Sequence, residues 1–299
     1  MHGGYQLGLC LTSQTVLGLH PAAYSSHPDV LLVIATHGWI TGESYMIAAA
    51  LLCPVPSILL EGSPVSPPDR FAATIERHRV SVFKAGSTFL RVLMTMPSSD
   101  AVVKAFDLTS LRLGTFCAEP VNEAVHAFAV AHLTSNYINS YWATEHGGIV
   151  WSRALADDRQ PVRPDTRTWP LPWIDGDVLK FTPSDGSWRR AADGEPGEVV
   201  IKRRYPYQAL TVWQSAEFTT TKWHGDIQRW GQYFESGAGY VQGDIAVRHA
   251  DGAYTFHGRS DEVRAIQRPR PFEPSSRRTR RPAQHCELSR CCVLVLLRS

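Results

Sequence analysis

Between residues 30 and 140, short β-branched and aromatic runs alternate with stretches whose apolar residues recur every three or four positions. This is the rhythm of a parallel sheet covered by helices. Residues 30–35 read as a buried strand. Pro67-Pro68-Asp69 opens a helix that sets Phe71 and Ile75 on one face, and a strand over residues 80–83 follows. The next helix turns Phe89, Leu90, Leu93 and Met94 inward and stops before Pro97. A strand over residues 111–116 comes next, then a helix from about Pro120 with Val121, Val125, Phe128 and His132 in one stripe, then a strand over residues 136–140.

The pattern changes near Trp151. Prolines gather at Pro161, Pro164, Pro170 and Pro172, and Asp-Gly pairs at Asp185-Gly186, Asp193-Gly194 and Asp251-Gly252 separate alternating runs. Such turns predict antiparallel hairpins, one of them pairing residues 245–248 with 253–256. The expected fold class is α/β, with a parallel βαβ layered domain over residues 1–150 and an antiparallel β-rich subdomain over residues 151–263. Residues 264–299 form an Arg/Pro-rich tail with no element able to fold alone, expected to be disordered.

Composition narrows the class without naming a function. In a chain of 299 residues, 43% hydrophobic and 19% charged positions exclude a disordered or collagen-like protein. The longest weakly polar stretch, residues 46–60, contains Pro54 and Pro56 and falls short of the roughly 20 residues that cross a bilayer. No membrane partner is expected, and the absence of a basic-then-apolar leader makes the cytoplasm the expected location. The net charge of +2 hides an asymmetry, since the nine arginines and two acids of residues 264–299 give +7 and leave −5 on the rest. The run Arg277-Arg278-Thr279-Arg280-Arg281 is the only support for nucleic-acid binding or nuclear import, and a basic run on a disordered end is ordinarily just solvated. Cys10, Cys53, Cys117, Cys286, Cys291 and Cys292 include no CxxC pair, so buried or incidental thiols are expected rather than a metal site.

Ligands of open α/β sheets sit beyond the carboxyl ends of the strands, where two segments are unusual. One is Cys117-Ala118-Glu119-Pro120. The other is Asn139-Ser140-Tyr141-Trp142-Ala143-Thr144-Glu145-His146-Gly147-Gly148. Two aromatics, a hydroxyl, a carboxylate and two glycines in ten residues suit a flat heterocycle beside a phosphate or cation. A strand end followed by a Gly-rich turn has the same composition. The histidines, His146 included, lack the spacing of a triad or metal site and read as structural.

Here the chain resembles a known family. Tyr141-Trp142-Ala143-Thr144-Glu145 is similar to the aromatic-x-x-Thr-Glu signature of AMP-forming acyl-CoA synthetases, in the double-aromatic form of the acetyl-CoA synthetase branch. Four other segments match in order. Gly38-Trp39-Ile40-Thr41-Gly42-Glu43-Ser44-Tyr45 resembles that branch's acyl-pocket segment, Ala118-Glu119-Pro120 its Gly-Glu-Pro adenine turn, Gly243-Asp244 its Gly-Asp ribose motif, and Gly258-Arg259-Ser260-Asp261-Glu262 its Gly-Arg-x-Asp-Asp segment.

The resemblance implies a ligase that joins acetate or propionate to CoA with ATP, releasing AMP and pyrophosphate, with ATP, CoA and Mg²⁺ as cofactors. It implies Thr144, Glu145 and Arg259 as catalytic residues. Thr144 would be a hydroxyl partner of the phosphate, Glu145 the Mg²⁺ ligand and Arg259 a permanent cation. Ala118, Glu119, Pro120, Asn139, Ser140, Tyr141, Trp142 and Ala143 would surround the nucleotide, and Asp244 would accept from the ribose hydroxyls. Trp39, Ile40, Thr41 and Trp142 would line the acyl pocket. Trp142 stands where relatives that take longer acids carry glycine, so its indole implies a short acid.

Departures from the family pattern shape the expectation as much as the matches do. Ala118 replaces glycine, Asn139 an aspartate and Ala143 a glutamine of that branch. No Pro-Lys-Gly phosphate loop lies upstream of the matching region, and the lysines are Lys84, Lys104, Lys180, Lys202 and Lys222, none beyond Asp261. The sequence therefore predicts a partial large domain whose own adenylation is impaired and which aggregates or needs a protein partner to cover its edges. The alternative is a non-catalytic nucleotide- or acyl-binding fragment, or a partner of a full-length synthetase.

Overall fold

The computed structural model describes residues 2–20, 28–96, 103–117, 119–154, 166–182, 184–212 and 226–260. Ala118, Pro161, Pro164, residues 261–263, the Arg/Pro-rich tail and the cysteines within it lie outside the described residues.

The first part of the chain runs through α1 (His2–Thr15), β1 (Leu31–Ile34), a π-helical segment (Gly42–Ala48) continuing into α2 (Ala49–Leu52), β2 (Ser57–Ile58), α3 (Arg70–His78), β3 (Val82–Gly86), α4 (Ser87–Thr95), β4 (Leu113–Cys117), α5 (Glu123–His132) and β5 (Tyr137–Ile138). The five strands form one parallel sheet in the order β2-β1-β3-β4-β5. Alternating side chains serve its two faces. Leu31, Val33, Val82 and Leu113 join one core with α1 and the Tyr45 segment, while Leu32, Phe83, Ala85 and Phe116 join a second with α3, α4 and α5. Apart from Lys84 and Thr115 on the first of these faces, the side chains are mainly apolar, which is why these strands read as nearly continuous hydrophobic runs.

The chain then leaves this sheet. Next come β6 (Ser140–Tyr141), a 3₁₀ turn (Thr144–His146), β7 (Trp151–Ser152) and β8 (Trp169–Pro170), and β6, β7 and β8 make a small antiparallel sheet. Beyond it lie β9 (Gly176–Thr182), β10 (Ser187–Arg190), β11 (Pro196–Ile201), α6 (Ile227–Gln232), β12 (Tyr240–Arg248) and β13 (Tyr254–Arg259). These strands form an antiparallel sheet in the order β10-β9-β11-β12-β13. Asp185-Gly186 joins β9 to β10 and Asp251-Gly252 joins β12 to β13, each glycine at positive φ. Tyr240, Ala246, Tyr254 and Phe256 complete the core that the parallel sheet shares with α1.

The mixed α/β architecture agrees with the sequence reading, with local corrections. Met94 points to solvent rather than inward, because α4 buries Phe89, Leu90 and Leu93 and one further position falls past the edge of that stripe. α5 starts at Glu123 and not near Pro120, since the Asn122 side chain accepts from Val125 N at 2.9 Å and caps the helix there. It buries Val125, His126 and Ala129, with Phe128 and His132 only half-buried. The single strand expected over residues 136–140 is two strands in different sheets. The break falls at Asn139, whose carbonyl accepts from Ser152 Oγ at 3.0 Å and whose Nδ2 donates to the Thr166 carbonyl at 3.1 Å. Among the described residues, no helix is long and apolar enough to cross a membrane.

Candidate active site

The carboxyl ends of β1, β4 and β5 open onto one cavity of about 400 Å³, roofed by β12 and β13. Trp39, Ile40 and Thr41 reach it from the loop after β1, Glu119 and Pro120 from the turn after β4, and Asn139 through Glu145 from the segment after β5. Gln242 and Asp244 enter from β12, and Phe256, Gly258 and Arg259 from β13. Every described residue that the sequence singled out for the site therefore lines a single cleft, although these residues span 220 positions of sequence from Trp39 to Arg259. Ala118 lies outside the described residues.

The turn after β4 and the end of β13 meet through a glycine. Gly258 has φ +102°, which L side chains rarely adopt, and a Cβ there would sit 3.4 Å from Pro120 Cγ. Glu119 contributes its backbone turn to the cleft and commits its carboxylate elsewhere. Its Oε2 accepts from Ser87 Oγ at 2.7 Å and Thr88 N at 2.6 Å, capping the first turn of α4 from another segment. Burial pushes the Glu119 carboxyl up, and these donors more than reverse it, holding the group below its usual range.

At one end of the cleft, the Tyr141 hydroxyl donates to Asp244 Oδ2 at 2.5 Å while Arg259 Nη1 lies 3.8 Å from Asp244 Oδ1. Arg259 Nη1 also donates to the Gln242 carbonyl at 2.9 Å. Burial, and then the neighbouring Asp244 carboxylate, push the Tyr141 phenol far up, so it remains a donor. Its ring stacks on Phe256 with centroids 3.9 Å apart and planes 11° from parallel.

Thr144 and Glu145 ride on the 3₁₀ turn. His146 Nδ1 accepts from Ala143 N at 2.9 Å and closes this turn, and burial drives the imidazole pKa down to about 3, so the ring is neutral. Glu145 Oε1 accepts from the Tyr233 hydroxyl at 2.9 Å and Oε2 faces Gln242 Nε2 at 3.5 Å. The structure thus adds Gln242, Phe256 and Tyr233 to the residues found by sequence. Gln242 stood two positions ahead of Asp244, the spacing that returns a strand to the same face, whereas nothing local marked Tyr233.

The opposite end is apolar. Trp142 is 6% exposed and meets the Tyr45 ring edge-on at 5.1 Å, Thr41 is buried, and Trp39 is 50% exposed at the rim. One cleft therefore offers a hydroxyl-binding carboxylate, a guanidinium, a second carboxylate and a small apolar recess. That set can hold a polar, charged ligand with a short apolar end.

Residues 7–208 match the AMP-binding enzyme family. Acetyl-coenzyme A synthetases are among the similar curated proteins: that of Ralstonia pickettii is 31% identical over 87% of this chain and 38% of its own length, and that of Nitrosomonas europaea is 32% identical over 87% and 37%. That of Pyrobaculum aerophilum is 31% identical over 79% of this chain and 33% of its own length. The chain spans less than two fifths of these relatives. A crystal structure of the anthranilate CoA ligase AuaEII in complex with anthranoyl-AMP shares the fold, with a TM-score of 0.65 at 22% identity over 87% of this chain and 44% of that one. The chain belongs to the AMP-binding enzyme family and is acetyl-CoA synthetase-like in sequence.

Proposed function

We propose that the cleft binds the adenylate of a short carboxylic acid and belongs to an AMP-forming acid–CoA ligase acting on acetate or propionate. A carboxylate oxygen attacks the α-phosphorus of ATP and pyrophosphate leaves. The CoA sulfur then attacks the acyl carbon, losing its proton, and AMP leaves. The supporting observation is the convergence of Trp142, Glu119 and Asp244 from three separate segments on one nucleotide-sized cavity.

In this reading Asp244 accepts from the ribose hydroxyls, and Tyr141, Pro120, the Glu119 turn, Asn139, Ser140 and Ala143 surround the base. Arg259 and Thr144 face the phosphate, where fixed donors and cations stabilise developing negative charge. Trp39, Ile40, Thr41 and Trp142 bound the acyl group. Glu145 fits Mg²⁺, since that ion commonly uses one or two protein carboxylates and completes its shell with water and substrate phosphates. Among the described residues no cluster of three or more His, Cys, Asp or Glu forms a closed metal cage. When bound, the ion would neutralise phosphate charge. We further read residues 1–150 as the unit that brings the acyl and adenine loops, and residues 151–263 as the unit that brings Asp244 and Arg259.

The test is calorimetric titration of the 299-residue polypeptide with AMP, followed by an assay of acetate-dependent pyrophosphate release. AMP binding with weak turnover is expected, because these 299 residues contain no Pro-Lys-Gly loop and no lysine beyond Asp261. Binding with no turnover at all favours a purely binding role. Absence of AMP binding contradicts the proposal.

A further inference from the structure

Lys84 is the unexpected group beneath this cleft. It lies on β3 with its side chain wholly buried, on the sheet face that also carries Thr115. Its Nζ donates to Ser140 Oγ at 3.0 Å and sits 4.8 Å from the centroid of the Tyr45 ring. Ser140 Oγ also receives Thr115 Oγ1 at 3.0 Å and donates to the Phe116 carbonyl, so it is fixed from below. No carboxylate is among the described hydrogen-bond or ion-pair partners of Lys84. A buried ammonium held only by a hydroxyl and an aromatic face is costly unless another negative charge comes near it.

Among the described partners of Lys84 no group supplies that charge, and the ligand class proposed above would. Glu145 and Asp244 bring carboxylates to the cleft against one cation among its described lining residues, Arg259, while the Glu119 carboxylate is turned to the start of α4. An anion entering it meets net negative lining, and Lys84 lies one hydrogen bond below Ser140, itself a lining residue. Tyr45 links Lys84 to the other wall, since the same ring packs edge-on against Trp142.

We propose that Lys84 is a positioning residue for anions: from beneath Ser140 its ammonium offsets the carboxylates of the lining and draws the ligand's negative group toward the Trp142 end of the cleft. This rests on the adenylate reading and adds, from beneath the lining, a second cation to the one that Arg259 supplies. Burial lowers the affinity of Lys84 for its proton, partly offset by the Cys117 thiol. Hence the effect fades as pH rises, and does so below the ordinary lysine value. The titratable groups packed around it are the Tyr45 phenol, raised by burial, and the Cys117 thiol, raised by burial and drawn down by Lys84 itself. Tyr137, next to Cys117, is raised as well.

The experiment compares AMP with adenosine, which differ by the phosphate, in calorimetric titrations of the full chain and its Lys84→Met variant. In the variant, AMP affinity is expected to fall about tenfold while adenosine affinity stays within about twofold, the size of a charge acting over several ångströms of protein. In the unaltered chain, the preference for AMP is expected to shrink with rising pH, below the ordinary lysine value of 10.5, and to be flat in the variant. Equal loss for both ligands, or no loss, overturns the proposal. If Lys84→Met does not fold, the pH series on the unaltered chain decides, and a constant preference overturns it. Failure of the unaltered chain to bind AMP would instead overturn the adenylate reading itself.

Discussion

The Tyr141 hydroxyl lies 2.5 Å from Asp244 Oδ2, so a residue at the exit of the parallel sheet orients a carboxylate 103 positions later in the chain. The bond ties β6 to β12 and leaves Asp244 beside Arg259 at the cleft wall.

Removing either partner separates their duties. Tyr141→Phe is expected to cost about 1.5–3 kcal/mol of stability, the usual range for a hydrogen bond to a charged group, measured by urea unfolding. Asp244→Ala is expected to weaken AMP binding at least about tenfold with the circular dichroism spectrum unchanged. An Asp244→Ala variant with undiminished AMP affinity would remove the ribose role.

Trp142 closes the apolar end by filling it. Trp142→Gly is expected to cost about 3–5 kcal/mol, as truncation of a buried indole does, and to admit longer acyl groups. Competition binding with acetyl-, propionyl- and hexanoyl-sulfamoyl adenosine reads this out. The unaltered chain should favour the first two and the variant the third, and an unchanged order would show that the indole does not set chain length.

The antiparallel sheet that delivers Asp244 and Arg259 is pinned by a buried pair, Arg248 Nη1 with Asp177 Oδ1 at 2.6 Å. Burial raises the Asp177 carboxyl, and the Val178 amide with Arg190, Lys202 and Arg248 more than reverses it, leaving it below the usual range. A depressed carboxylate stabilises the fold above its unfolded value, near 3.9, and that contribution is lost as pH falls through the folded value. Asp177→Ala is expected to cost about 3–5 kcal/mol at neutral pH and to flatten the acid limb of a stability–pH curve.

His146 acts over a different window. Its folded pKa of about 3 lies below the unfolded value near 6.5, so the unfolded chain binds the extra proton between them and stability falls as pH drops. The expected slope is about 1.4 kcal/mol per pH unit between roughly pH 6 and pH 4 from this group alone. His146→Gln should remove that slope, measured by thermal melts across the same range.

Most parallel strands and the β9–β10 and β12–β13 hairpins were legible in the sequence because their signals are local: apolar runs between helical periods, and Asp-Gly at those two turns. Asp193-Gly194 instead lies between β10 and β11, which are not neighbours because β9 runs between them. α1 was not legible. Its glycines argue against a helix, yet a Cβ on Gly8 would collide with the Tyr207 ring, so the residue that weakens local propensity is what permits the tertiary packing. The cleft lining could be read for the same reason as the turns, since its short motifs sit at strand ends. Tyr233 and Lys84 escaped because each acts through a residue far away in sequence, Glu145 and Ser140 respectively.

The most direct measurement is diffraction from crystals of this chain grown with AMP. The nucleotide is expected in the cavity between Trp142 and Asp244, with the base beside Tyr141 and both ribose hydroxyls within hydrogen-bond reach of the Asp244 carboxylate. AMP bound on another surface, or a cleft that stays empty at saturating nucleotide, would contradict it.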